Sequence, residues 1–129
     1  MAGKEKGYKL IFDETSKVLQ IRLWGLWDEE FAENFEGEFK KKVQEAGATG
    51  KEWYILADIT EFPPQFQQVQ QFLAEAMRRA KTYGVKKAAR IVDKTITKLQ
   101  IARLSKEMDF PEHSFFRSED EARQWLLSE

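Results

Sequence analysis

Apolar and polar residues alternate one by one near the start of this chain. Tyr8, Leu10 and Phe12 are separated by Lys9, Ile11 and Asp13, and Leu19, Ile21 and Leu23 by Gln20, Arg22 and Trp24. A period of two predicts two strands, each with a drier and a wetter face, and the polar run Glu14 to Lys17 between them predicts a hairpin. From Asp28, a residue type suited to an N-cap, the period changes. Phe31, Ala32, Phe35, Phe39, Val43 and Ala46 fall within about 120° on a helical wheel, which predicts a helix with a core-facing stripe. Gly37 lies on the opposite side of that wheel, and Gly47 and Gly50 end the helix.

Trp53 to Ile59 is almost wholly apolar until Asp58, the pattern of a central strand covered on both faces. Glu61 to Pro64 makes a turn, because proline is tolerated at a helix entrance and not inside the helix. Phe66, Val69, Phe72, Leu73, Ala76, Met77, Ala80 and Tyr83 then recur at helical spacing, with Gln67, Gln68, Gln70 and Gln71 on the other face. Gly84 closes that helix. Lys87 to Val92 predicts a short strand, and Thr95 to Met108 a helix that turns Ile96, Ile101, Leu104 and Met108 inward, broken by Phe110 and Pro111. A last strand, His113 to Arg117, leads to Ser118, whose spacing to Glu121 is that of a capping box. It opens a terminal helix with Ala122, Trp125 and Leu126 as its apolar face.

The order ββαβαβαβα, a hairpin followed by strands alternating with helices, implies right-handed crossovers and a mixed, mostly parallel five-stranded sheet with four helices in an α/β domain. With 129 residues the chain has the length of one domain, and an aromatic fraction of 13% supplies ample material for a single core. Residues 1–7 are expected to be flexible. The absence of cysteine removes disulfides, thiolate nucleophiles and Cys-ligated metal centres, and suits a reducing compartment. No signal-peptide pattern follows Lys4 and Lys6, and no stretch approaches the ~20 apolar residues of a membrane span. A cytoplasmic protein, not integral to a membrane, is expected.

Four segments carry a family resemblance: "GLWDEEF" after the second strand, "YILADITEF" in the third, "KKAARIVDKT" in the fourth and, most specifically, "SFFRSEDEARQWL" at the end. Together they resemble the SpoIIAA-like branch of the STAS/SEC14-like group, over a span from about Tyr8 to Leu127. The resemblance implies the fold of anti-sigma-factor antagonists and a regulatory or protein-interaction role without catalysis. The wider group includes phosphorylation-switched regulators and modules suspected of binding lipophilic ligands. In the regulatory members the turn after the third strand carries an Asp-Ser-Gly-like motif whose hydroxyl is a kinase target at the start of the next helix. Here that turn reads Asp58-Ile59-Thr60-Glu61-Phe62-Pro63-Pro64, with neither Ser nor Gly. The usual phospho-switch is therefore not expected, Thr60 being the one hydroxyl nearby.

Candidate chemistry is sparse. The lone His113 has no Cys or evident Ser partner for a triad, and its plain reading is a half-buried or surface histidine. The glycines do not form a phosphate-binding loop. Asp58 and Asp93 fall near the carboxyl ends of predicted central strands, where open α/β sheets bind ligands. With Thr60, Lys94 and Thr95 they would line a small polar crevice, against the plainer reading that Asp93 or Thr95 caps the helix that follows and Asp58 orders its own turn. An enzyme using Asp58 and Asp93 is thus one alternative. No catalytic residue, cofactor or metal site is otherwise expected. Trp24, with Phe62 and Phe66, would line an apolar pocket, the basis of a second alternative, a carrier or sensor of a small apolar or lipid-like ligand; core packing is the plainer reading. Trp27, just before Asp28, suits a hydrophobic staple.

The net charge of −1 argues against a dedicated nucleic-acid binder yet hides a local asymmetry. Arg78 to Lys106 carries ten basic residues against the single acid Asp93. Arg78, Arg79, Lys81, Lys86 and Lys87 are expected to form a contiguous exposed basic surface for a protein partner or another anionic surface, against the plainer expectation that each pairs with nearby Glu. The oligomeric state, a homodimer included, stays open.

Overall fold

The computed structural model describes residues 5–128. The elements run β1 (Lys6–Asp13), β2 (Val18–Gly25), α1 (Glu29–Gly47), β3 (Trp53–Glu61), α2 (Gln67–Thr82), β4 (Val85–Ile91), α3 (Thr95–Glu107), β5 (His113–Phe116) and α4 (Glu119–Leu127). The five strands form one sheet in the order β1-β2-β3-β4-β5. β1 and β2 pair antiparallel, and every later pair is parallel. This is the predicted ββαβαβαβα order, with β3 in the middle. Lys6 and Gly7 belong to β1, opposite Gly25 and Trp24. Met1 to Lys4 lie outside the described residues.

The alternation of side chains along each strand divides the core in two. Leu19, Ile21 and Leu23 of β2, Ile55, Ala57 and Ile59 of β3 and Ala88 of β4 face α1, α2 and α3. Val18, Leu56, Ala89 and Ile91 face Ala122 and Leu126 of α4 on the other side. The larger core carries an aromatic cluster in which Trp27 packs against Tyr8, Phe31, Phe35 and Phe62 with ring centroids 5.0–6.1 Å apart. The expected α1 stripe is observed, with Ala32, Phe35, Phe39, Val43 and Ala46 buried. Asp28 caps α1 by accepting the Phe31 N–H at 2.8 Å, and Ser118 caps α4 by accepting the Glu121 N–H at 3.2 Å.

Two helices sit differently from their predicted wheels. α3 turns Thr97, Ile101, Leu104 and Ser105 inward, while Ile96 and Leu99 are exposed. The cause is hydrogen bonding: the Thr97 hydroxyl donates to the Phe62 carbonyl at 2.7 Å and that of Ser105 to the Ile101 carbonyl at 2.8 Å, so two hydroxyls satisfy themselves inside. Along α2 the ends of the predicted stripe, Phe66 and Tyr83, are exposed, Val69, Leu73, Ala76 and Ala80 are buried, and Phe72 and Met77 are half-buried. In α4, Leu126 is buried and Trp125 half-buried. No helix among the described residues is long and apolar enough to cross a membrane.

Candidate functional site

Strands β2 to β5 are parallel, so all four end at one pole, where the chain passes into α1, α2, α3 and α4. Open α/β sheets place ligands at this pole. Asp58 Oδ1 accepts both the N–H and the hydroxyl of Thr60, at 3.0 and 2.8 Å, within β3. The Lys94 ammonium donates to the Thr60 carbonyl and lies 3.9 Å from Asp93 Oδ1. Thr95 opens α3, whose N-cap position is Lys94 and offers no side-chain hydrogen bond. Asp58, Thr60, Asp93, Lys94 and Thr95 are thus brought to one region. The two carboxylates nevertheless line different clefts. Asp93, Lys94 and Thr95 border a cleft of about 680 Å³ with Phe116, Arg117 and Trp125, and Asp58 borders one of about 170 Å³ with Arg22 and Arg123. Among the described residues, no three His, Asp or Glu side chains stand together as a metal site.

The expected aromatic pocket is not formed, because its three members point in different directions. Phe62 is sealed in the larger core against Trp27, 5.1 Å between centroids. Trp24 lies across the sheet from it, beneath the Arg22 guanidinium and over Gly7. Phe66 stands in solvent at the start of α2, 57% exposed.

The five basic residues do not make one exposed surface either. Lys87 is buried on the α4 side of the sheet, where its ammonium donates to the carbonyls of Trp125 and Ser128 at 3.0 and 2.8 Å and lies 4.8 Å from the Trp125 ring centre. It neutralises the carbonyl end of α4. The others pair with acids: Arg78 with Glu75, Arg79 with Glu36, Lys81 with Asp109 at 3.5 Å and Lys86 with Glu52 at 2.9 Å.

Gln65 is the organiser of the pole, and sequence reasoning passed over it. It is 4% exposed. Its Oε1 accepts the Trp27 N–H at 2.9 Å, and its Nε2 donates to the carbonyls of Gly25 and Pro63 at 3.1 and 2.8 Å. Its own N–H donates to Gln100 Oε1 at 2.8 Å, and its carbonyl accepts from Gln70 and Gln100. One residue thus ties the β2–α1 segment to the β3–α2 segment through its side chain, and α3 to both through its backbone. The sequence signal was a glutamine directly after two prolines, outside the solvent-facing glutamines of α2. The tied segments bear Leu26, Phe66, Ile96 and Leu99, large apolar side chains between 46% and 61% exposed.

His113 is half-buried on β5. Its Nδ1 lies 3.2 Å from Nη1 of Arg90, and burial, with the guanidinium adding to it, lowers its pKa below the ordinary imidazole value. Arg90 itself is buried on the side of β4 that faces α1, α2 and α3.

Solved structures share this architecture from end to end. An uncharacterized protein of the DUF3478 family from Shewanella loihica superposes with a TM-score of 0.68 at 18% identity, covering 98% of each chain, and is described as having a SpoIIAA-like fold. The fold of the present chain is SpoIIAA-like. An anti-sigma factor antagonist from Mycobacterium paratuberculosis matches with a TM-score of 0.61 at 13% identity, over 95% of this chain and 96% of the other. The Bacillus cell fate determinant SpoIIAA in its phosphorylated form matches at 0.54 and 18% identity, over 93% and 99%. No protein-family model and no curated protein matches the chain. The SpoIIAA-like architecture bears out the resemblance of the four sequence segments and the predicted element order.

Proposed function

We propose that this chain is a non-catalytic regulatory module that acts by docking a protein partner at the pole organised by Gln65. The observation that carries it is the exposure of Leu26, Phe66, Ile96 and Leu99 on segments that the buried Gln65 joins by hydrogen bonds. Large apolar side chains on a fixed frame are what an interface core requires, since little conformational freedom is lost on binding. The fitting partner is therefore a protein surface with an apolar centre. The likeness in fold to an anti-sigma factor antagonist, by its name a protein directed against another protein's action, supports the same class of role.

Docking here rests on packing and not on a phosphorylated hydroxyl. The Thr60 hydroxyl is engaged with Asp58 inside β3, whereas α2 starts at Gln67 after Phe66, with no side-chain cap.

A photo-cross-linking amino acid placed at position 66 or 99 in the source cells, with position 37 on the exposed side of α1 as control, tests this. One protein captured at 66 and 99 but not at 37, whose purified form binds wild type at least about tenfold more tightly than Leu99→Ser, is the expected result. The same capture spectrum at all three positions would overturn it.

A further inference from the structure

β1 is an edge strand whose outer side pairs with nothing in the chain. It stands first in the sheet and bonds only to β2, so every second residue along it turns its N–H and C=O outward. The other edge, β5, has four residues against the eight of β1, and short edges are poor templates for pairing. The β1 edge is fully covered on neither face. On one side of the sheet Tyr8 and Leu10 stay half-buried beside α1, and on the other Ile11 is 45% exposed.

Alternate residues of a strand share a face, so Lys9, Ile11 and Asp13 stand in a row on the side opposite α1, where Lys9 and Ile11 border the cleft of about 170 Å³. Lys9 and Asp13 enter no ion pair among the described residues. Asp13 Oδ1 accepts the N–H groups of Thr15 and Ser16 at 2.9 and 3.4 Å, which fixes the carboxylate at the end of the row and leaves Oδ2 without a described partner. The row therefore reads positive, apolar, negative.

Such a row is complementary to itself when reversed. Antiparallel pairing with a second copy about a twofold axis at Ile11 sets Lys9 opposite Asp13 of the second copy, Asp13 opposite its Lys9, and the two exposed Ile11 side chains against each other. On the other face Leu10 meets Phe12 of the second copy. Directly opposed side chains in an antiparallel pair are close enough for opposite charges to attract and for apolar groups to cover one another. Moving the axis one residue, to Leu10, sets Lys9 against Ile11 and Asp13 against Gly7, and both ion pairs are lost. A net charge of −1 opposes self-association little. We infer that β1 is a homodimer interface, two copies pairing antiparallel through Lys9 to Asp13 so that their sheets become one. Five residues a side is small beside a permanent dimer interface, so the assembly is a reversible one. This half of β1 lies by the start of β2, at the opposite end of the sheet from the docking pole, and the two readings fail independently.

The chain has no cysteine, so Ile11→Cys carries a single thiol. Across the twofold axis its two Cα atoms would lie about 4.5–5.5 Å apart, within the span of a disulfide. Gln20, which pairs with Ile11 inside the hairpin and borders the same cleft, is the control site. Three strand spacings, about 14 Å, would separate its two copies, too far to bridge. Under mild oxidation at low ionic strength, Ile11→Cys should form a disulfide dimer about tenfold or more faster than Gln20→Cys. Adding Lys9→Glu, which sets Glu against Asp13 at both ends of the pairing, should slow that reaction about tenfold. Sedimentation of the cysteine-free chain should show a reversible dimer that weakens by a similar factor in Lys9→Glu and loosens as salt rises. A monomer at every concentration up to about 1 mM, equal cross-linking of the two cysteine variants, or a dimer indifferent to Lys9→Glu would each overturn the proposal. Circular dichroism checks that the variants fold; if Lys9→Glu does not, the two cysteine variants and wild-type sedimentation decide.

Discussion

The indole of Trp24 lies over Gly7, its directly opposite partner in the β1–β2 pair, so closely that a β-carbon at position 7 would sit 2.1 Å from Cζ2. The ring takes the space that a side chain at position 7 would fill. Gly7→Ala should therefore cost about 1–3 kcal/mol, as overpacking does. With Trp24→Ala present as well, the loss from the added methyl should largely disappear, because the two changes share one space. Urea unfolding of the two single variants and the double variant measures this coupling; strict additivity would refute it.

Gln65 should be worth far more than its neighbours in the glutamine row. Gln65→Ala strands the Trp27 N–H and the Gly25 and Pro63 carbonyls, and a buried unsatisfied group costs about 1–3 kcal/mol. A total loss of about 2 kcal/mol or more is expected. Gln67→Ala, at an exposed position, should stay within about 0.5 kcal/mol. Thermal and denaturant midpoints of the two variants provide the check.

Acid should weaken the fold at the junction of β4 and β5. The His113 pKa is lowered in the folded chain, first by burial and then by Arg90, so the unfolded chain takes up its proton at higher pH. Stability from neutral His113 is present above about 6.5, the ordinary imidazole value, and is lost as pH falls through the lowered folded value. His113→Asn keeps an acceptor for Arg90 but cannot be protonated. Between pH 7 and 5 it should lose less stability than wild type; identical pH profiles would show that the imidazole does not contribute.

Trp125 is half-buried, so truncation should cost less than the ~3–5 kcal/mol typical of a sealed aromatic. About 1–3 kcal/mol is expected for Trp125→Ala, from lost apolar cover and from loosening the ring against which Lys87 rests. Equilibrium unfolding by tryptophan-independent circular dichroism supplies the value.

Legibility of the sequence varied with the kind of signal. The α1 stripe and the alternation in β1 and β2 are periodic, and periodicity reports which face is buried, so those elements stood where predicted. α3 turned because the Thr97 and Ser105 hydroxyls bond to nearby carbonyls and are at ease inside, a choice that apolar counting does not register. The polar residues of the candidate crevice come to one pole because they end or follow strands, and strand ends converge in a parallel sheet, but Asp58 and Asp93 line different clefts there. The aromatic pocket was not, because Trp24 and Phe62 come from opposite faces and sequence does not measure that separation. The burial of Gln65, Lys87 and Arg90 escaped notice for one shared reason. Each is polar in composition yet buried by partners distant in sequence, at positions 25 to 27, 125 to 128 and 110 to 115.

Strand order along the sheet is also strand order along the chain. During synthesis every strand after the first therefore meets a neighbour that has already left the ribosome, and none must wait for a partner still to be made. The sheet can grow in one direction, like a zip closing from the hairpin, with few distant loops to close at each step. The cost falls on the growing edge, which stays open until β5 docks. A ribosome pausing after Ile91 would leave β4 as that edge, without β5, without α4 and with Lys87 still in water.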